Sequence, residues 1–267
     1  VARWRMIGLA AVLTTVPSLG AGAQEASELA EKLSNPIAAM ISVPFQFNYD
    51  NEIGPERDGE RFQLNFQPVV PIPLGEDWNM ISRTILPIID QDEIFPTTGE
   101  QFGLGDITQS LFFSPTHPGP SGIVWGAGPV FLVPTGTDEL LSAEKWGAGP
   151  TLVVLRQSHG WTVGALMNHI WSFAGDDDRD AVSTTFLQPF LSYTTPDAWT
   201  FGVNTESTYD WEAENWSVPV NVSVSKLVNF GHQPVSIGGT VRYWAESTDA
   251  GPHGFGARAT ITFLFPE

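Results

Sequence analysis

Four arginines and one glutamate stand in stretches where polar and apolar residues alternate: Arg61, Arg83, Glu206, Arg242 and Arg258. Asp106 joins them by weaker phasing, and Asn204 lies on the same face as Glu206. If that polar face encloses a lumen, these side chains put fixed charge of both signs along a narrow solute path and select solutes electrostatically. They can equally neutralise one another and, with Ser, Thr and Asn, simply fill the space. Residue types alone leave both readings open.

Other chemistry is thinner. Asp176-Asp177-Asp178-Arg179-Asp180 clusters carboxylates that could take Ca²⁺ or Mg²⁺, but the spacing is not that of an EF-hand loop, and a solvated acidic loop explains it better. His169 with Ser172 or Ser192 hints at a hydrolase, yet no Gly-x-Ser-x-Gly elbow is present. A histidine held in a wall is the simpler reading. The five histidines fall mostly in turns without metal-ligand spacing, and there is no cysteine. We therefore expect no cofactor, no metal and no catalytic residue.

What must position these groups follows from composition and period. The 267 residues are 42% hydrophobic, 12% aromatic and only 16% charged. Ten Trp and seventeen Phe are too much apolar bulk for a disordered chain. A net charge of -18 excludes a nucleic-acid partner, which needs a basic footprint. Residues 1–23 read as a signal peptide: Arg3 and Arg5, an apolar Met6 to Val16, and a small-residue cut at Ala21-Gly22-Ala23. Residues 24–39 then form a periplasmic segment with one short helix over 25–36, stopped by Pro36, and 40–267 form the main domain.

From there the period is two. In 61–68, Arg61, Gln63, Asn65 and Gln67 alternate with Phe62, Leu64 and Phe66; in 255–265, Phe255, Ala257, Ala259, Ile261, Phe263 and Phe265 alternate with Arg258, Thr260 and Thr262. A strand sorts such residues onto two faces. About twelve segments qualify, near 41–50, 60–72, 78–90, 105–114, 122–134, 146–157, 160–173, 184–195, 198–210, 215–227, 234–246 and 254–265, although 78–90, 146–157 and 184–195 alternate poorly. Mostly short turns alternate with mostly longer acidic loops, the asymmetry of outer-membrane barrels.

Aromatic spacing points the same way. Trp161 and Trp171, Trp199 and Tyr209, and Phe255 and Phe265 are pairs of one parity separated by the same interval. Ten residues of strand tilted by about 40° project roughly 25 Å onto the barrel axis, the height of a lipid-facing band. Each pair thus places a ring at each membrane interface. A soluble β-protein with aromatics at its strand ends is the alternative, and it leaves the loop asymmetry unexplained. Prolines at 44, 68, 71, 87, 129, 150, 189 and 219 cost ladder donors and predict bulges or shorter strands.

The order of certain words resembles a known family. Ile41-Ser42-Val43-Pro44-Phe45-Gln46, Gln67-Pro68-Val69 and Asp77-Trp78-Asn79 come first. Trp125-Gly126-Ala127-Gly128-Pro129 is echoed by Trp146-Gly147-Ala148-Gly149-Pro150, and Asn168-His169-Ile170-Trp171-Ser172 and Gln188-Pro189-Phe190 follow. This is similar to bacterial outer-membrane proteins grouped with the meta-pathway of phenol degradation, often labelled transporter or, misleadingly, neuromedin U. The resemblance implies an outer-membrane channel and carries no catalytic motif. Phe265 followed by Pro266 and Glu267 puts the usual terminal assembly signal off register.

The expectation is therefore a closed antiparallel transmembrane β-barrel of about twelve strands with a short N-terminal helix, in the bacterial outer membrane. Its partners would be outer-membrane lipid and lipopolysaccharide, a small-molecule solute and the barrel-assembly machinery. Its function would be passage of small solutes; hydrophobic or aromatic ones are implied by the family name alone. A lipid hydrolase and a structural barrel with a filled lumen are the alternatives.

Overall fold

The computed structural model describes residues 19–94, 98–119 and 121–266. Most of the expected signal peptide, residues 1–18, lies outside the described residues. One helix, α1 (Leu19–Leu33), precedes β1 (Ile41–Ile53), β2 (Gly59–Phe66), β3 (Val69–Pro73), β4 (Trp78–Asp92), β5 (Gln101–Leu104), β6 (Ile107–Pro115), β7 (Ile123–Val133) and β8 (Lys145–Ser158). Then come β9 (Trp161–Gly175), β10 (Ser183–Thr194), β11 (Trp199–Thr205), β12 (Ser207–Asp210), β13 (Asn215–Phe230), β14 (Gln233–Glu246) and β15 (Gly254–Phe265). The helix begins earlier and ends sooner than the sequence suggested; Ser34 and Asn35 close it with backbone bonds to Glu31 and Lys32 before Pro36 is reached.

The fifteen strands form one antiparallel sheet in which each is paired with its neighbours. β2 and β3 are one stave interrupted at Gln67-Pro68, β5 and β6 one interrupted at Gly105-Asp106, and β11 and β12 one interrupted at Glu206. That leaves twelve staves, matching the twelve alternating segments. β1 pairs with β15 from Ile41↔Phe265 to Tyr49↔Ala257, and β9 pairs with β10 along its length, so the sheet closes on itself. A closed barrel satisfies every backbone donor without a free edge, which is what hydrocarbon surroundings demand.

The prolines are accommodated as irregularities. Pro219 sits at a register shift between β13 and β14. Pro129 and Pro150 face each other across β7 and β8. Around them pairing lapses: β6 and β7 skip from Ser110↔Val130 to Phe113↔Ala127, and β8 and β9 skip from Ala148↔Trp171 to Thr151↔Asn168. At these gaps a glycine permits close backbone approach. A Cβ on Gly128 would lie 1.9 Å from the Leu111 carbonyl oxygen, and one on Gly149 would lie 1.8 Å from that of His169. The echoed Trp-Gly-Ala-Gly-Pro words thus run in opposite directions on neighbouring strands and meet only at their prolines.

The two faces separate by chemistry. Glu206 reaches Arg258 past the intervening β13 and β14, which is possible only on the concave side. Arg, Asn and Gln of that parity are inside. The other parity is apolar and open: Val222 is 61% exposed, Val241 58% and Phe255 67%. Such a surface on a closed barrel is a lipid-facing one.

Candidate functional site: the lumen

Inside, β1, β13, β14 and β15 form a polar sector. Arg258 makes a bidentate pair with Glu206, Nη1 to Oε1 and Nη2 to Oε2 both at 2.8 Å. Arg242 donates to Asp50 Oδ2 at 3.0 Å and to Glu206 Oε2 at 3.4 Å. Asn48 Oδ1 accepts from both arginines, Asn221 Oδ1 accepts from Arg242 Nε, and the amide of Asn221 donates to Asn204 Oδ1 at 2.8 Å. Trp244 Nε1 donates to the other oxygen of Asp50. Charged groups removed from bulk water hold only if paired and hydrogen-bonded, and each member here is.

The candidate lumen residues divide accordingly. Glu206, Arg242, Arg258 and Asn204 come together in this network. Arg61 lies beside it on β2, donating to Gln91 Oε1 at 2.9 Å. Arg83 on β4 faces inward separately, with one long hydrogen bond to Gln67 Oε1 at 3.5 Å. Among the described residues no carboxylate lies within 4.0 Å of either guanidinium. Asp106 is placed elsewhere: its carboxylate accepts from Gly136 N, Ser142 Oγ and Ala143 N and pins the loop between β7 and β8. It is a loop staple, because the break after Gly105 takes it out of the alternation that suggested it.

Asp50, Asn48, Asn221 and Gln67 were not singled out from the sequence. Asn48 and Asp50 share parity with Gln46, and Asn221 stands on the polar parity between Val220 and Val222, so the signal was present.

Opposite the polar sector the inner wall is apolar. Ile81, Phe112, Val153, Leu155 and Leu166 form a buried cluster from β4, β6, β8 and β9, joined by Phe186 and Phe190 of β10. Ile37, from the segment between α1 and β1, is buried in the same cluster. Gly126 leaves room for it; a Cβ there would stand 3.0 Å from Ile37 Cδ1. At the other end of this segment Ala30, Ala38 and Met40 pack with Ala198, Leu227 and Leu264 at the short-turn rim. Ser27 Oγ donates to the Thr195 carbonyl, and Gln157 Nε2 donates to that of Glu31. The N-terminal segment therefore enters the barrel and divides the lumen. Cavities of about 270, 240 and 140 Å³ surround it, each bounded by Leu33.

The aromatic pairs all face outward, at opposite ends of their staves. Trp161, Trp199 and Phe265 lie at the short-turn end; Trp171, Tyr209 and Phe255 lie at the loop end. Ring contacts reinforce them: Trp161 with Tyr193 at 4.9 Å, Tyr209 with Trp211 and Trp216 at 4.9 Å each, and Phe255 with Tyr243 at 5.0 Å. Trp199 carries the Lys226 ammonium 4.7 Å from its ring centroid.

The hydrolase constellation is not assembled. His169 Nδ1 lies 2.7 Å from Thr185 Oγ1, and its ring is 4.0 Å from that of Trp171. Ser172 Oγ accepts from Val182 N, and Ser192 belongs to the opposite face. In the acidic loop, Arg179 donates to the carbonyls of Glu139 and Ser142 and pairs with Glu144 at 3.5 Å, so the run is docked on a neighbouring loop. Among the described residues no three metal-ligating side chains converge.

No family model matches the chain, and neither does any curated protein sequence. Solved structures do resemble it. An outer membrane channel from Pseudomonas putida F1 aligns over 85% of this chain and 96% of its own, at 12% identity and a TM-score of 0.66. The β domain of the Bordetella autotransporter BrkA aligns over 85% and 100%, at 11% identity and a TM-score of 0.50. The fold is that of bacterial outer-membrane β-barrels. An outer membrane phospholipase A from Escherichia coli also aligns, at 10% identity, 89% and 98% coverage and a TM-score of 0.49.

Proposed function

We propose that the protein is an outer-membrane channel for small solutes, with a lumen narrowed by its own N-terminal segment. One observation carries this: the inner wall presents Arg83, without a carboxylate partner among the described residues, to two solvent-sized cavities beside a fully paired charge network. A barrel built only as scaffold gains nothing from buried, unpaired charge, which is costly. The likeness to the Pseudomonas channel supports the reading at the level of fold. Phe190, which lines the 240 Å³ cavity, supports solutes with hydrophobic or aromatic parts, in line with the meta-pathway resemblance. Arg61, Arg83, Asn204, Glu206, Arg242 and Arg258 would line the path. The aromatic pairs would sit at the two interfaces, with lipopolysaccharide meeting the acidic loops. Residues 1–23 would be removed on export, leaving α1 to start at Gln24 on the periplasmic side and to end at Leu33 inside the barrel mouth, and the barrel-assembly machinery would insert the barrel.

Single-channel recording in planar bilayers tests it. The expected result is discrete steps with anion preference, because among the described residues the four inward arginines have two carboxylate partners, Asp50 and Glu206. Ile37→Asp, which puts a charge into the apolar cluster, should loosen the segment and enlarge the steps. Silence from both proteins would leave the filled-barrel reading in place.

A further inference from the structure

Arg83 is one of two inward guanidiniums that the charge network does not use, and the one that lies against a cavity. It lines two of the three luminal cavities, the 240 Å³ one and the 140 Å³ one. In the larger cavity it faces Phe190 and the N-terminal residues Leu33 and Pro36. Ser192 lines the same space, and its hydroxyl is buried without a hydrogen-bond partner among the described residues. Gln67 lines the smaller cavity, with its carbonyl oxygen turned to Arg83 and its amide committed to Gln46.

This is half of a recognition site. A guanidinium offers five donors in a fixed fork that matches a carboxylate, and here nearly all are unclaimed. A buried hydroxyl without a partner, that of Ser192, is a second unclaimed group in the lining of the same cavity. Neither is satisfied by the wall, and both sit at the margin between polar and apolar sectors. The cavity is below the range that holds drug-sized molecules, which confines the occupant to a short one.

We propose that Arg83 and Ser192 bind the carboxylate of a small amphiphilic acid, whose apolar part lies against Phe190, Leu33 and Pro36. The site rests on the channel reading for its purpose, as a selectivity station on the path, but its existence can be measured without conduction. The N-terminal segment supplies one side of it, so occupancy would also hold that segment in place.

The test is calorimetric titration of the folded chain in detergent with hexanoate, using hexan-1-ol as the neutral counterpart and protein-free micelles as the blank. Saturable binding of hexanoate is expected, with hexan-1-ol at least tenfold weaker. Arg83→Gln should weaken hexanoate at least tenfold, whereas Arg156→Gln, on the lipid-facing parity of β8, should not. Arg83→Lys keeps the charge and loses the fork, and should weaken binding severalfold in a protein whose heat-modifiable gel shift is intact. Phe190→Ala should weaken hexanoate and leave acetate unchanged. No saturable binding to the wild type, or equal binding by Arg83→Gln, overturns the proposal. Conductance steps without hexanoate binding would remove the site and spare the channel; binding without steps would do the reverse.

Discussion

Glu206 holds two guanidiniums and stands where the pairing of β11 with β13 gives way to that of β12 with β13. Gln67 and Asp106 stand at the other two interruptions of staves. A break in the ladder frees a residue from strict alternation and lets its side chain be aimed. Glu206→Gln should leave Arg258 without a partner charge and Arg242 with Asp50 alone. Breaking a buried pair from one side costs about 3 kcal/mol or more, so the urea midpoint for unfolding from lipid vesicles should fall. The arginines were legible as an inward set because their parity is regular. Their pairing was not, since Asp50 and Asn48 approach them from β1, which is remote in sequence and adjacent only after closure.

At the scale of elements, the segments that alternate poorly have a physical explanation. Ile81, Val153, Leu155, Phe186 and Phe190 are apolar residues of the inward parity. They spoil the pattern because Ile37 and the segment around it pack against this part of the inner wall, which is apolar for that reason. The segment that covers them, residues 34–40, has neither period two nor period 3.6, so nothing in the sequence placed it inside. The staves themselves were legible throughout: turns such as His159-Gly160, both with positive φ, bound them sharply. The pairing gap between β8 and β9 yields a prediction of its own. Gly149→Ala should drive a methyl into the His169 carbonyl, part β8 from β9 and lower the heat-resistant folded fraction on gels. Gly239→Ala meets no atom within 4 Å and should leave that fraction unchanged.

For the whole molecule, the deciding fact is which side of the wall is greasy. Periodicity alone could not say, since a soluble barrel shows the same alternation turned inside out. Loop asymmetry and ring spacing favoured an apolar exterior, and the luminal charge network requires it. Val222, near the middle of β13, tests the orientation directly. Val222→Arg should cost about 2–4 kcal/mol in equilibrium folding into bilayers, as expected of a midplane cation on a lipid-facing wall. Were that side chain to face water or a lumen, the penalty would be near zero.

The segment around Ile37 touches both halves of the ring: Leu227 and Leu264 on one side, and by way of Ile37 the wall of β4, β6, β8 and β9 on the other. It acts as a spoke. A hoop with a spoke resists being squeezed into an ellipse, because flattening it in any direction strains one hub contact or the other. Slipping the spoke would therefore change the compliance of the hoop as well as its bore, and thickness or lateral tension of the surrounding bilayer would then bear on how wide the barrel stands.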